Sequence, residues 1–354
     1  MAGVVGCETR TSFADRLFIA AQAEDALTSN LDDLMESSHF FVQVGRMFET
    51  TTGRDHSTNV GHIPEPLILH KTRPSLNPCG SLPRWKTRMP FSRANGLDIW
   101  YEETGAGQPM VMVHANPFDH QMWIYQVAHF SNFYRVINID LRGYGRSAKM
   151  LEDFTLEDMG RDIIGVMDDA KAKKAVFMGC SVGSTLGILL GLDHPEKFDA
   201  LILVGGSSGR SLRFPRRIEG YLTKFPAYHR EFIEDLVHPG FPRTKLGRYL
   251  IDIYLSKQSC LKPASVAATL RATNSTVLTD RLHEMKVPTL VINGEVDNAR
   301  SAGVLTSSLI PAAEHQVVAG TGHACCLENP VVFDQIVIDF LQRKRLWPDN
   351  NHFI

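Results

Sequence analysis

The run from Lys174 to Leu192, KAVFMGCSVGSTLGILLGL, restricts the possible folds of this chain more than any other stretch. Ala175 to Met178 are all apolar, the pattern of a strand buried on both faces, and Val182 to Leu192 read as a glycine-spotted helix able to be buried all round. Between them lies Gly179-Cys180-Ser181-Val182-Gly183. The G-x-S-x-G spacing permits a sharp turn from strand to helix, because chain can pack closely on both sides of the serine. Such a turn lifts the Ser181 hydroxyl above a sheet. It also sets it beside the N-terminus of the next helix, whose free N–H groups favour negative charge developing on a bound carbonyl oxygen.

The same spacing recurs at Gly205-Gly206-Ser207-Ser208-Gly209, again after an apolar run, Ala200 to Val204. A pattern this short arises by chance in a chain rich in Gly and Ser, so the residues that follow decide between the two. Gly183 leads into Ser184-Thr185-Leu186-Gly187-Ile188-Leu189-Leu190, whereas Gly209 leads into Arg210-Ser211-Leu212-Arg213-Phe214-Pro215. Ser181 is the expected nucleophile, and Ser207 is expected in a loop leaving the sheet.

Strands and helices alternate around this segment. Phe91 to Arg93 and Leu97 to Glu102 read as a hairpin joined at Asn95-Gly96, a pair suited to a type I′ turn. Pro109 to His114 and Arg135 to Ile139 read as buried strands and Leu156 to Ala170 as a helix. The alternation pauses from Gly209 to Met285 and resumes with a strand at Leu290 to Asn293. A helix from Ala302 to Leu309, a strand from Glu314 to Val318 and a helix from Pro330 to about Arg343 complete it. This order predicts an α/β fold with a mostly parallel sheet and helices on both faces. The inserted segment, residues 209–285, is helical in pattern and rich in aromatics, among them Phe214, Tyr221, Phe225, Tyr228, Phe232, Phe241, Tyr249 and Tyr254. An insertion there lies over the C-terminal ends of the strands, where open α/β sheets bind ligands, and predicts a helical cap over a mainly apolar pocket. The neighbouring Arg210, Arg213, Arg216 and Arg217 offer a solvated cluster or a site for a carboxylate.

Residues 1–88 differ in texture. Ser12 to Thr28 and Asn30 to Phe48 have the pattern of two modest helices, but from Thr51 to Arg88 no period survives among Pro64, Pro66, Pro74, Pro78 and Pro83. The expectation is an N-terminal extension, partly helical or disordered, that is dispensable to a domain over residues 89–348. Met89 directly precedes the first strand and is a candidate start codon of its own.

A serine hydroxyl is a weak nucleophile near neutral pH and needs a base, itself oriented by a third group. Gly322-His323-Ala324 follows the strand Glu314 to Val318 in a loop freed by Gly320, and Asp297 follows the strand Leu290 to Asn293 in Gly294-Glu295-Val296-Asp297. Asp297 has a competing reading as a helix cap, and Glu295 is a rival acid. The order Ser181, Asp297, His323 resembles the α/β-hydrolase family. Asp140-Leu141-Arg142-Gly143-Tyr144-Gly145-Arg146-Ser147 resembles that family's D-x-R-G-x-G-x-S loop, and His194-Pro195-Glu196 its H-P-E. The resemblance spans roughly Met89 to Pro348. It implies an eight-stranded sheet, a triad of Ser181, Asp297 and His323, and an oxyanion hole built from two backbone N–H groups. One would be that of Val182, the other from the loop after His114. The family usually has His-Gly there, whereas this chain has His114-Ala115-Asn116-Pro117; Pro117 has no N–H, so Asn116 is preferred and Ala115 comes second. His114 itself reads as a structural hydrogen-bonding residue.

Within that family, dehalogenases and epoxide hydrolases carry an aspartate at the turn, so Ser181 argues against both. Carbon–carbon bond hydrolases of ring-cleavage products carry serine but resemble G-N-S-x-G-G, with a glycine-rich loop after the first His and often a tryptophan after the catalytic one. Cys180, Ala115-Asn116-Pro117 and Ala324 stand in those places here. The expected substrate is therefore a small carboxylic ester or lactone, with carbon–carbon cleavage the alternative and a non-catalytic binding protein the alternative outside enzymology. A net charge of -2 and a pI of about 6.7 provide no basic field for nucleic acid or an anionic membrane. The cysteines, Cys7, Cys79, Cys180, Cys260, Cys325 and Cys326, have neither zinc nor disulfide spacing. With no signal-peptide pattern and no long apolar run, the expectation is a cytoplasmic enzyme without metal or cofactor.

Overall fold

A computed structural model describes residues 91–93 and 95–348. The two candidate helices, the proline-broken stretch and Met89 lie outside the described residues. Eight strands, β1 (Phe91–Ser92), β2 (Ile99–Thr104), β3 (Pro109–Val113), β4 (Arg135–Ile139), β5 (Ala175–Cys180), β6 (Phe198–Val204), β7 (Thr289–Gly294) and β8 (Glu314–Val318), form one sheet in the order β1-β2-β4-β3-β5-β6-β7-β8. β2 runs antiparallel to β1 and β4, and every other pairing is parallel. β5 and β7 are buried at every position, which is why their sequences show continuous apolar runs rather than alternation.

The helices are α1 (Ile124–Phe130), α2 (Leu156–Asp169), α3 (Val182–Asp193), α4 (Phe214–Lys224), α5 (Ala227–Asp235), α6 (Lys245–Ser256), α7 (Pro263–Ser275), α8 (Arg300–Leu309), α9 (Cys325–Glu328) and α10 (Pro330–Arg343). α2 starts on a capping box: the Thr155 hydroxyl accepts from the Asp158 N–H at 3.1 Å, and the Asp158 carboxylate accepts from the Thr155 N–H at 2.8 Å. It buries Leu156, Met159, Ile163, Val166 and Met167, one helical face. α3 is buried from Val182 to Gly191 and lies against β5 and β6. α2 and α3 pack together as one covering group, and α1, α9 and α10 as another. α4 to α7 are the inserted cap, between β6 and β7.

The hairpin forms, but not through the expected turn. Ser92 pairs with Ile99, the Gly96 N–H bonds to the Arg93 carbonyl at 2.9 Å, and Gly96 rather than Asn95 takes a positive φ, 76°. Asn95 is engaged elsewhere. Its Nδ2 donates to the Asp158 carbonyl and, at 2.8 Å, to Asp162, tying the hairpin to α2.

Candidate active site

β5 delivers Ser181 to the turn into α3 in a strained conformation, φ 54° and ψ −110°. Left-handed φ at a non-glycine residue costs on the order of 1–3 kcal/mol, and surrounding packing must enforce it. The two motif glycines show how. A Cβ on Gly179 would lie 2.3 Å from the Gly183 carbonyl oxygen, and one on Gly183 would lie 2.4 Å from the Val113 carbonyl oxygen. The Ser181 N–H is held by the Val204 carbonyl at 2.7 Å. Ser207, in contrast, lies in a loop after β6, where its hydroxyl donates to the Gly209 carbonyl and accepts from the Gly209 N–H.

β7 and β8 are neighbours, and their C-terminal loops bring Asp297 and His323 together. His323 Nδ1 donates to Asp297 Oδ1 at 2.8 Å. Asp297 Oδ1 also accepts from the Ala299 N–H at 2.8 Å, and Oδ2 accepts from Asn293 Nδ2 at 2.7 Å. The cap reading is not realised: the N-cap of α8 is Ala299, with no side-chain cap, and the Asp297 carboxylate closes a local turn on the Ala299 N–H just before the helix. Burial opposes its ionisation, but the His323 charge and hydrogen bond, the Ala299 N–H and the Asn293 amide outweigh it and hold the carboxyl at about 2. Glu295 lies away from the ring: exposed, it accepts from the Gly320 N–H at 2.8 Å.

Ser181, His323, Val182 and Asn116 line one cavity of about 330 Å³ under the cap. His323 Nε2 has no hydrogen-bond partner among the described residues. The Ala115 N–H points to Met122 Sδ at 3.4 Å, which takes the second-choice donor out of the cavity, while Asn116 is on its wall, with Oδ1 accepting from the Tyr144 hydroxyl at 2.9 Å. Both His114 ring nitrogens are used structurally, Nδ1 to the Ala115 carbonyl at 2.9 Å and Nε2 from the Leu141 N–H at 3.0 Å. Asn293 and Tyr144 escaped the sequence reading. The one hint at Asn293 was a polar residue ending an apolar strand; buried completely, it needs partners for both ends of its amide.

A family model described as the alpha/beta hydrolase fold matches residues 108–330. The chain belongs to the α/β-hydrolase family. This hydrolase is 28% identical over 262 residues to the 2-hydroxy-6-oxononadienedioate/2-hydroxy-6-oxononatrienedioate hydrolase of Paraburkholderia phymatum, a match covering 69% of this chain and 91% of that protein. It is 26% identical over 232 residues to 3-oxoadipate enol-lactonase 1 of Acinetobacter baylyi, covering 63% and 85%. Among solved structures, the enol-lactonase from Burkholderia xenovorans LB400 shares its fold with a TM-score of 0.68 at 23% identity, covering 72% of this hydrolase and all of that chain.

The cavity under the cap of the hydrolase is mainly apolar, as expected, with Val182, Leu212, Leu270 and Ala302 on its wall, but the aromatics contribute less of it than the sequence suggested. Of the cap's aromatics only Phe214 and Phe232 reach the cavity, whose wall also carries Thr185, Ser207, Thr269, Thr273, Asn298 and three arginines, Arg210, Arg213 and Arg217. Tyr221, Phe225, Tyr228 and Phe232 pack on one another and on His229, and Tyr254 packs edge-on against Phe118. They join the same hydrophobic cluster as the sheet, so most of the cap's aromatics hold it to the domain rather than line the cavity. Arg216 pairs with Glu231 outside the cavity. Among the described residues no group of three or more His, Cys, Asp or Glu is arranged to hold a metal ion, and no helix is long and apolar enough to cross a membrane.

Proposed function

We propose that this hydrolase cleaves a small carboxylic ester or lactone through an acyl-enzyme at Ser181. The carrying observation is that the strained Ser181 and the Asp297-paired His323 line the same cavity. With Nδ1–H donated to Asp297, Nε2 is the acceptor for the serine proton. In the proposed sequence Oγ attacks the carbonyl carbon as its proton passes to Nε2. The N–H groups of Val182 and Asn116 receive the oxyanion; the leaving oxygen takes the proton from Nε2, and a water activated by Nε2 then releases the acid. Each oxyanion donor is typically worth about 3–4 kcal/mol in such a transition state.

The arginines on the cavity wall favour a substrate that carries a carboxylate. Arg217 is held over the Phe232 ring at 4.5 Å with Asp235 as partner at 3.2 Å, and Arg213 reaches the Asn298 carbonyl at 3.1 Å. The enol-lactonase and the dioate hydrolase named above are consistent with acidic substrates. The latter keeps carbon–carbon cleavage as the second reading, with the same nucleophile. A cytoplasmic setting fits cysteines that remain free, Cys180, Cys260, Cys325 and Cys326 among the described residues. Labelling by a fluorophosphonate, lost in Ser181→Ala, tests the nucleophile and also separates an enzyme from a binding protein; a panel of lactones, esters and ring-cleavage products tests the bond.

A further inference from the structure

The loop that carries His323 is gripped from the cap. Glu328, at the end of α9, accepts from the Gly322 N–H through Oε1 and from the His238 N–H through Oε2, both at 2.8 Å. The Ala324 N–H donates to the Leu236 carbonyl at 2.8 Å, so the residues on either side of His323 are held to the segment following α5, Ala324 directly and Gly322 through Glu328. The packing leaves no slack: a Cβ on Gly322 would lie 2.6 Å from the Val237 carbonyl carbon. On its other side the loop meets the acid, since the Val296 N–H donates to the Thr321 carbonyl at 3.0 Å.

We infer that Glu328 is a positioning residue that makes the seating of the cap and the placement of His323 a single event. The inference rests on the proposed role of His323 as the base. A carboxylate with one oxygen on each partner is suited to this, because moving either segment strips an acceptor from a backbone donor. α5 also carries Phe232 on the cavity wall. A substrate seated against Phe232 therefore presses on the element that fixes the base, and a cap that swings away releases it. Misplacing a catalytic group by about 1 Å can cost on the order of 100-fold in rate.

Two measurements test this, the first on the wild type. Amide hydrogen exchange at Gly322 and His238 should show one common protection factor, and phosphonylation of Ser181 should raise both by the same amount; unequal protection of the two amides overturns the clamp. In the second, Glu328→Gln keeps the shape but sets an NH₂ against one of the N–H groups. The expected outcome is a fall in kcat of about 10- to 100-fold, an equal fall in the phosphonylation rate, and a KM within about two-fold of wild type, with Glu231→Gln in the cap as an unaffected control. A folded Glu328→Gln protein with wild-type kcat overturns the positioning role. If that variant does not fold, the wild-type exchange decides. A wild type that no fluorophosphonate labels would overturn the reaction proposed above, while exchange in the unlabelled protein would still read the clamp.

Discussion

Asn293 and Asp297 are joined by a 2.7 Å hydrogen bond from Nδ2 to Oδ2, and the orientation of that amide is fixed by His315, whose Nε2 donates to Asn293 Oδ1 at 3.0 Å. The direction matters. With Oδ1 committed to His315, Nδ2 must face the carboxylate, leaving Asp297 Oδ1 for Ala299 and His323. Asn293→Leu should lower turnover by about 10-fold and stability by about 1–3 kcal/mol, because it leaves a buried carboxylate oxygen unpaired. Chemical denaturation beside steady-state kinetics would check both; wild-type turnover would show that Ala299 alone suffices to hold Asp297.

Ser181→Ala should remove esterase activity by a factor on the order of 10⁶ without altering the fold, whereas Ser207→Ala should do little. Labelling that survives the first change and vanishes with the second would move the nucleophile to Ser207.

Asp297→Asn keeps the shape of the side chain but supports the wrong imidazole tautomer, and turnover should fall by about 10⁴. Glu295→Gln, whose partner is the Gly320 N–H, should be far milder. Side-by-side rates of the two variants decide which carboxylate orients His323.

Arg213→Ala and Arg217→Ala should raise KM for esters carrying a carboxylate by about ten-fold while sparing neutral esters of equal size. Arg216→Ala, outside the cavity, serves as the comparison. Equal activity on acidic and neutral esters, unchanged in both variants, would remove the acidic substrate.

His229 in the cap gives a pH dependence of known sign. Burial lowers it to about 4 from an ordinary 6.5, with Nδ1 bonded to the Tyr221 hydroxyl at 3.0 Å. Between those values the unfolded chain binds the proton and the folded one does not. Stability should therefore fall as pH drops from 6.5 towards 4, by at most about 3 kcal/mol. Asp297, depressed from 3.8 to about 2, adds a loss on the order of 2 kcal/mol as pH falls further through that window. Urea midpoints against pH for wild type and His229→Asn would separate the two: the variant should lose the His229 share of the upper window, keep the part that buried His114 and half-buried His315 contribute, and keep the lower window.

The amino-acid sequence by itself determined what local constraint can determine. The middle of a strand buried on both faces reads as a continuous apolar run, as at Ala175 to Met178, and a turn as tight as the one at Ser181 admits no side chain at Gly179 or Gly183. The turn at Ser181, the succession of strands along the chain and the loops bearing Asp297 and His323 were therefore legible. Tertiary structure alone decided the rest. Whether Asp297 or Glu295 meets the histidine depends on how two loops, 26 residues apart at the bonded pair, leave adjacent strands. That the Ala115 N–H turns to Met122 Sδ, and that the partners of Glu328 lie as far away as His238, 90 residues back, could not be read along the chain. That Tyr221, Tyr228, Phe232 and Tyr254 are buried while Tyr249 is exposed has a similar reason: what an aromatic side chain packs against is set by which helices meet, and periodicity along one helix carries no record of its neighbour.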